Sequence, residues 1–161
     1  MKEDNWKKII ENWKASRKHQ EIKKKLNSRR MYTLKKEEIL LIIDEIKEFH
    51  SLTDEEKEAF DWLDPEMINE THKEGVIQSL IETLIKWHFY MYKYEIAQEY
   101  EVCTKIRDVI SIEIEECKRV IDTYYVTEED DNEMYILLRK QSKESVELNY
   151  SAWVKYLNRE Q

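Results

Sequence analysis

Apolar residues recur along much of this chain at the three- and four-residue steps of a helix, and the densest run lies between Gly75 and Tyr100. Its first half places Ile77, Ile81, Leu84 and His88 on one stripe, while Trp87 to Tyr94 is aromatic or apolar on nearly every side. A helix that is apolar all round must be covered all round, so a central helix is predicted over about 75–100.

Other segments carry weaker forms of the same period. Trp6, Ile9, Ile10 and Trp13, continued by Ile22 and Leu26, predict a helix over about 4–26. Five consecutive apolar residues, Ile39 to Ile43, fit a buried strand as well as a helix; the flanking KKEE and DEIKE favour a helix over 34–50, capped by Thr33. Thr53 followed by Glu56 is a capping box, with the hydroxyl accepting from the amide three residues on and the carboxylate reaching back, and predicts a helix over 54–63. Asp64-Pro65 reads as an N-cap with proline at the first helical position, restarting a brief helix that ends near Gly75.

Beyond Ile96 the stripe continues through Cys103, Ile106, Ile110, Cys117, Ile121 and Tyr124, with Glu99 as its one polar interruption. A single helix of roughly 50 residues would be about 75 Å long, against a diameter of about 40 Å for a compact domain of this size. A turn is therefore expected between Gln98 and Thr104. Thr127 and the acidic run Glu128 to Asp131 suit a helix start, since carboxylates there complement exposed amides; the last helix carries Tyr135, Leu138, Val146, Tyr150, Trp153 and Leu157, with a bend expected near 142–145.

Composition narrows the class. Gly75 and Pro65 are the sole glycine and proline in 161 residues, too few turn-formers for strands and hairpins. The expected fold is all-α, a compact single-domain bundle of five to seven helices spanning 1–161. With 41% hydrophobic residues the chain can bury a core despite 39% charged ones. Cys103 and Cys117 lie fourteen residues apart, about 21 Å on one helix and out of disulfide reach, so both read as reduced core thiols. The opening MKEDNWKK has no apolar signal core, and no run approaches the roughly 20 apolar residues needed to cross a bilayer. A soluble, cytoplasmic protein with no membrane partner is expected.

The net charge of -8 hides an asymmetry: residues 1–36 hold thirteen Lys and Arg against four acids, and residues 37–161 hold fourteen against thirty-one. A basic N-terminal segment (1–33) thus packs on or flanks an acidic helical body (34–161). Lys7, Lys8, Lys14, Arg17, Lys18, Lys23, Lys24, Lys25, Arg29 and Arg30 are the candidate contacts to nucleic acid or a partner, joined by Lys35 and Lys36. The alternative is that this patch meets the acidic body itself.

The sequence carries little recognisable chemistry. No Glu-x-x-His pair offers two ligands to one metal, His50 and Asp54 straddle a loop, and no cofactor or metal is expected. One glycine cannot build a phosphate loop, a dinucleotide fingerprint or a nucleophile elbow. His88, between Trp87 and Phe89, reads as a neutral core histidine with a hydrogen-bond partner. Glu45-x-x-Glu48 and Glu58-x-x-Asp61 resemble, in carboxylate spacing over about seventeen residues, the acidic pattern of all-α nucleoside triphosphate pyrophosphohydrolases, which would imply Mg²⁺ held for nucleotide hydrolysis. The nine-residue gap is short for that pattern, its small residues are missing, and Glu113-x-x-Glu116 and Glu128-x-x-Asp131 repeat the same spacing.

The reading is a non-enzymatic protein-binding module, an inhibitor, immunity, antitoxin-like or accessory protein of a mobile element or its bacterial host, with a basic-surfaced protein as partner. A nucleic-acid-associated regulator using residues 7–36 is second, and a Mg²⁺-dependent nucleotide pyrophosphohydrolase third. A homodimer is a further expectation, since a long apolar-faced helix serves a core or a dimer seam.

Overall fold

The computed structural model describes residues 32–59 and 70–159, with the side chains of residues 70–72 outside that description. Its described residues form five α-helices and no strand: α1 (Lys36–His50), α2 (Asp54–Glu58), α3 (Glu70–Ile96), α4 (Tyr100–Tyr124) and α5 (Asp131–Arg159). The fold is an all-α bundle. The expected helix over 4–26, the candidate cations from Lys7 to Arg30, and Asp64-Pro65 lie outside the described residues. The chain divides into two compact units between residues 63 and 64, and the charge step near residue 33 falls inside the first.

In the first unit the ambiguous run Ile39 to Ile43 is helical. Ile39, Ile42 and Ile43 are buried while Leu40 and Leu41 are half-buried, which is the inward face of a helix and not the alternation of a strand. Its N-cap is Lys35 and not Thr33: Glu38 folds back so that its carboxylate accepts from the Lys35 amide at 3.2 Å. The Thr53 box forms as expected, with the Glu56 amide donating to Thr53 Oγ1 at 3.2 Å and the Thr53 amide donating to Glu56 Oε1 at 3.2 Å. The helix it starts is shorter than expected, ending at Glu58.

The second unit is built on α3, as its all-round apolar pattern demands. Leu80, Leu84, Trp87, His88, Phe89, Tyr90 and Tyr94 are buried, and α4 and α5 both pack against this helix. Gly75 lies inside α3 and ends nothing; a Cβ there would meet no atom within 4 Å, so the break expected at Gly75 has no packing reason behind it. The turn after α3 comes at 97–99, slightly earlier than expected. Gln98 takes φ 60, its amide donates to Glu95 O at 3.0 Å, and the Glu99 amide donates to Tyr94 O at 2.8 Å. That paired 5→2 and 6→1 arrangement is the Schellman stop, formed here around a glutamine where glycine is usual.

Helix α4 returns antiparallel with one clean apolar face, from Val102 and Cys103 through Ile106, Val109, Ile110, Ile114 and Cys117 to Ile121. Helix α5 starts at Asp131, later than Thr127 suggests; Asp131 Oδ2 accepts from the Glu128 amide at 3.0 Å, so the acidic run forms the turn before the helix. It then runs unbroken through 142–145. Lys73 ties the start of α3 to this turn, donating to Val126 O at 2.8 Å with Asp131 at 3.7 Å. Further along, Tyr150 of α5 meets Phe89 (ring centroids 5.2 Å) and Tyr92 (5.1 Å), and Trp153 lies 6.2 Å from Phe89. Such pairs add about 0.5–1.5 kcal/mol each to the area they bury. Among the described residues, no helix is long and apolar enough to cross a membrane.

Candidate functional site

Because α4 and α5 each pack on α3 far more than on one another, a gap is left between them. It opens as a cavity of about 350 Å³ with α3 as its floor. His88 lies in that floor, with Met91 and Glu95 one and two turns further on. The α4 wall presents Tyr100, Cys103, Arg107 and Ile110, and the α5 wall Ile136, Arg139, Lys140 and Lys143.

Two features distinguish this cavity. The first is charge: four cations face one carboxylate, Glu95, in a chain of net charge -8. Arg139 donates from Nη1 to Ser111 Oγ at 3.2 Å, a link between α4 and α5. Arg107, Lys140 and Lys143 form no ion pair among the described residues. Uncompensated like charge around a partly enclosed space raises the local potential for anions.

The second is His88. It is 3% exposed, and neither ring nitrogen has a hydrogen-bond partner among the described residues. The sequence predicts a core histidine with a partner; burial is as expected and the partner is missing, since no described donor or acceptor lies within hydrogen-bond reach of either nitrogen. Burial, then Arg139 and Lys143, push its pKa down to about 4, so the ring is neutral at neutral pH.

The same surroundings disfavour covalent chemistry. Burial, then Glu95, raises the Cys103 thiol, whose Sγ donates to Met91 O at 3.4 Å. Cys117 lies away from the cavity, and burial pushes it up to about 11. Neither is poised as a thiolate at neutral pH. Both are free, as their spacing predicts.

Elsewhere the sequence candidates do not converge. Among the described residues, no group of three or more His, Cys, Asp and Glu side chains is placed to hold a metal ion. Glu48 and Glu58 are exposed, Glu45 is half-buried, and Asp61 lies outside the described residues. Glu113 and Glu116 act on one another: burial and then the Glu116 charge push Glu113 up to about 7, while Glu116 pairs with Arg119 at 3.1 Å.

The chain matches no family model, no curated protein and no solved structure. Its site has to be read from its own geometry. Sequence reasoning does not find the four cavity cations, because they are divided between two helices while the dense basic run lies before residue 37. Their one local signal is Arg139, Lys140 and Lys143 within five residues of the last helix.

Proposed function

We propose that the chain is a non-enzymatic protein-binding module whose partner carries a basic surface, the role an inhibitor, immunity, antitoxin-like or accessory protein performs. One observation carries this reading. With the core of the second unit filled, Ile96, Tyr100, Val126, Leu137, Leu148 and Tyr156 still stand in water, from 45% exposed at Tyr156 to 84% at Leu148. Exposed acids accompany them: Glu95 and Glu101 beside the first pair, Glu128 to Asp130 beside Val126, Glu144 and Glu147 beside Leu148. Apolar and aromatic anchors give an interface its affinity, and surrounding charge selects and speeds its partner.

The test is quantitative affinity capture with full-length protein, comparing wild type with Leu148→Asp and with Glu144→Lys/Glu147→Lys. A partner whose recovery falls at least tenfold with either variant, and falls with added salt, supports the reading; recovery unchanged in both overturns it. A nucleic-acid-associated regulator is the second reading, supported by the thirteen-to-four excess of basic over acidic residues in 1–36. It expects binding to random-sequence DNA or RNA that weakens steeply with salt and is lost when Lys23, Lys24 and Lys25 are reversed in charge.

A further inference from the structure

The cavity between α4 and α5 has features that the proposed protein interface does not explain. Its four cations come from two helices and converge over a floor contributed by a third. These groups stand on facing walls of a partly enclosed volume. With Glu95 the one carboxylate on the lining, the lining carries a formal charge of about +3, and Arg107, Lys140 and Lys143 form no ion pair among the described residues.

Beneath it, His88 has two ring nitrogens sealed from water and from every described acceptor. A neutral imidazole has one N–H to give and one lone pair to receive, and leaving both unmet inside a fold costs free energy. The side chains nearest in charge, Arg139 and Lys143, are long and flexible. Drawn toward an anion in the cavity, they would uncover the ring for it.

We propose that this cavity binds an organic phosphate monoester, with the phosphate held by Arg107, Arg139, Lys140 and Lys143 above His88, and the organic part against Tyr100 and Ile136. Size and charge select the class. A volume of about 350 Å³ exceeds what a bare inorganic anion fills and lies in the range of small-molecule sites. A phosphate monoester brings about -1.5 to -2 charges and three acceptor oxygens to a tripositive lining, whereas a carboxylate brings one charge and two oxygens. Guanidinium groups on facing walls match phosphate oxygens in the two-pronged way that lysine alone does not. Tyr100 is 62% exposed at the α3–α4 turn and offers a flat face at the mouth of the cavity.

The test uses the full chain and four probes: phenyl phosphate, inorganic phosphate, benzoate and phenol. Binding is followed by calorimetry and by the imidazole signals of His88 in carbon–proton correlation spectra. Phenyl phosphate is expected to bind saturably, at least tenfold more tightly than benzoate or inorganic phosphate, with phenol silent. It should move the His88 titration to higher pH, since a dianion offsets Arg107, Arg139, Lys140 and Lys143, whereas Glu95 and the protonated Cys103 are present in either state. Arg107→Gln and Arg139→Gln should each weaken binding at least tenfold with helicity retained. Charge reversal of Lys23, Lys24 and Lys25, and Lys105→Gln on the outer side of α4, should leave it unchanged. Absence of saturable binding, benzoate binding as tightly as phenyl phosphate, or loss of binding on changing the N-terminal lysines but not Arg107 or Arg139 would overturn the assignment. The measurement needs no protein partner, so its outcome is independent of the interface proposed above.

Discussion

Replacing His88 with leucine isolates the energetic consequence of burying an imidazole under cations. In the unfolded chain His88 titrates near 6.5, and in the fold it is held down to about 4. Between those values unfolding takes up a proton, so the contribution of a neutral His88 is intact above pH 6.5 and is lost as pH falls toward 4. That interval, at about 1.4 kcal/mol per pH unit, sets a loss of about 3 kcal/mol. Leucine has no proton to gain. At pH 7.5 it also removes two unpartnered nitrogens, so His88→Leu should equal wild type or exceed it by about 1 kcal/mol. Acidification should then widen the gap toward about 4 kcal/mol, the two effects added. Native-state hydrogen exchange of the α3 amides from Leu84 to Phe89, corrected for intrinsic rates and read by mass spectrometry, reports on this unit alone. Parallel pH profiles for the two proteins between pH 6.5 and 4.5 would refute the reasoning, as would a variant that loses protection at pH 7.5.

Glu113→Gln should act with the opposite sign. Glu113 is raised to about 7, so its contribution is full below pH 4.5 and lost as pH rises to 7; the variant should gain about 1–2 kcal/mol relative to wild type between pH 4.5 and 8 by the same exchange measurement, reduced from the full interval because the residue is half-buried. Gln98→Gly relieves a left-handed backbone at the α3–α4 stop and should raise the stability of the second unit by about 1 kcal/mol in chemical denaturation. Gly75→Ala places a methyl in open space within a helix and should add about 0.5–1 kcal/mol, seen as slower exchange in the first turns of α3. Thr53→Ala removes the acceptor at 3.2 Å from the Glu56 amide, costing about 1 kcal/mol; in a five-residue helix that loss should appear as faster exchange across Asp54–Glu58.

Much of the architecture follows from local rules. A chain with one glycine and one proline has little means of making strands, and the 3.6-residue period of α4 names Cys103, Ile106, Ile110, Cys117 and Ile121 of its buried face, to which the fold adds Val102, Val109 and Ile114. The all-round apolar stretch from Trp87 to Tyr94 could be stable only if covered on several sides, and α3 is the helix that both neighbours pack on. The Thr53 box is equally local, being complete within four residues. Where helices end was harder to read, because their ends depend on competition. Gly75 continues a helix whose start Lys73 ties to the turn before α5, and Gln98 accepts a strained φ because a compact unit needs its turn there.

The cavity could not be read this way. Arg107 lies 32 residues from Arg139, and their meeting depends on how far α4 and α5 diverge across α3, which neither sequence segment encodes alone. His88 shows the same division within one residue. Its place on an apolar stripe was enough to predict a buried, neutral ring, since burial follows from helical phase. Its lack of a partner was settled by how the other two helices pack around it: they bring no donor or acceptor within reach of its nitrogens, while Arg139 and Lys143 of α5 add the nearby positive charge.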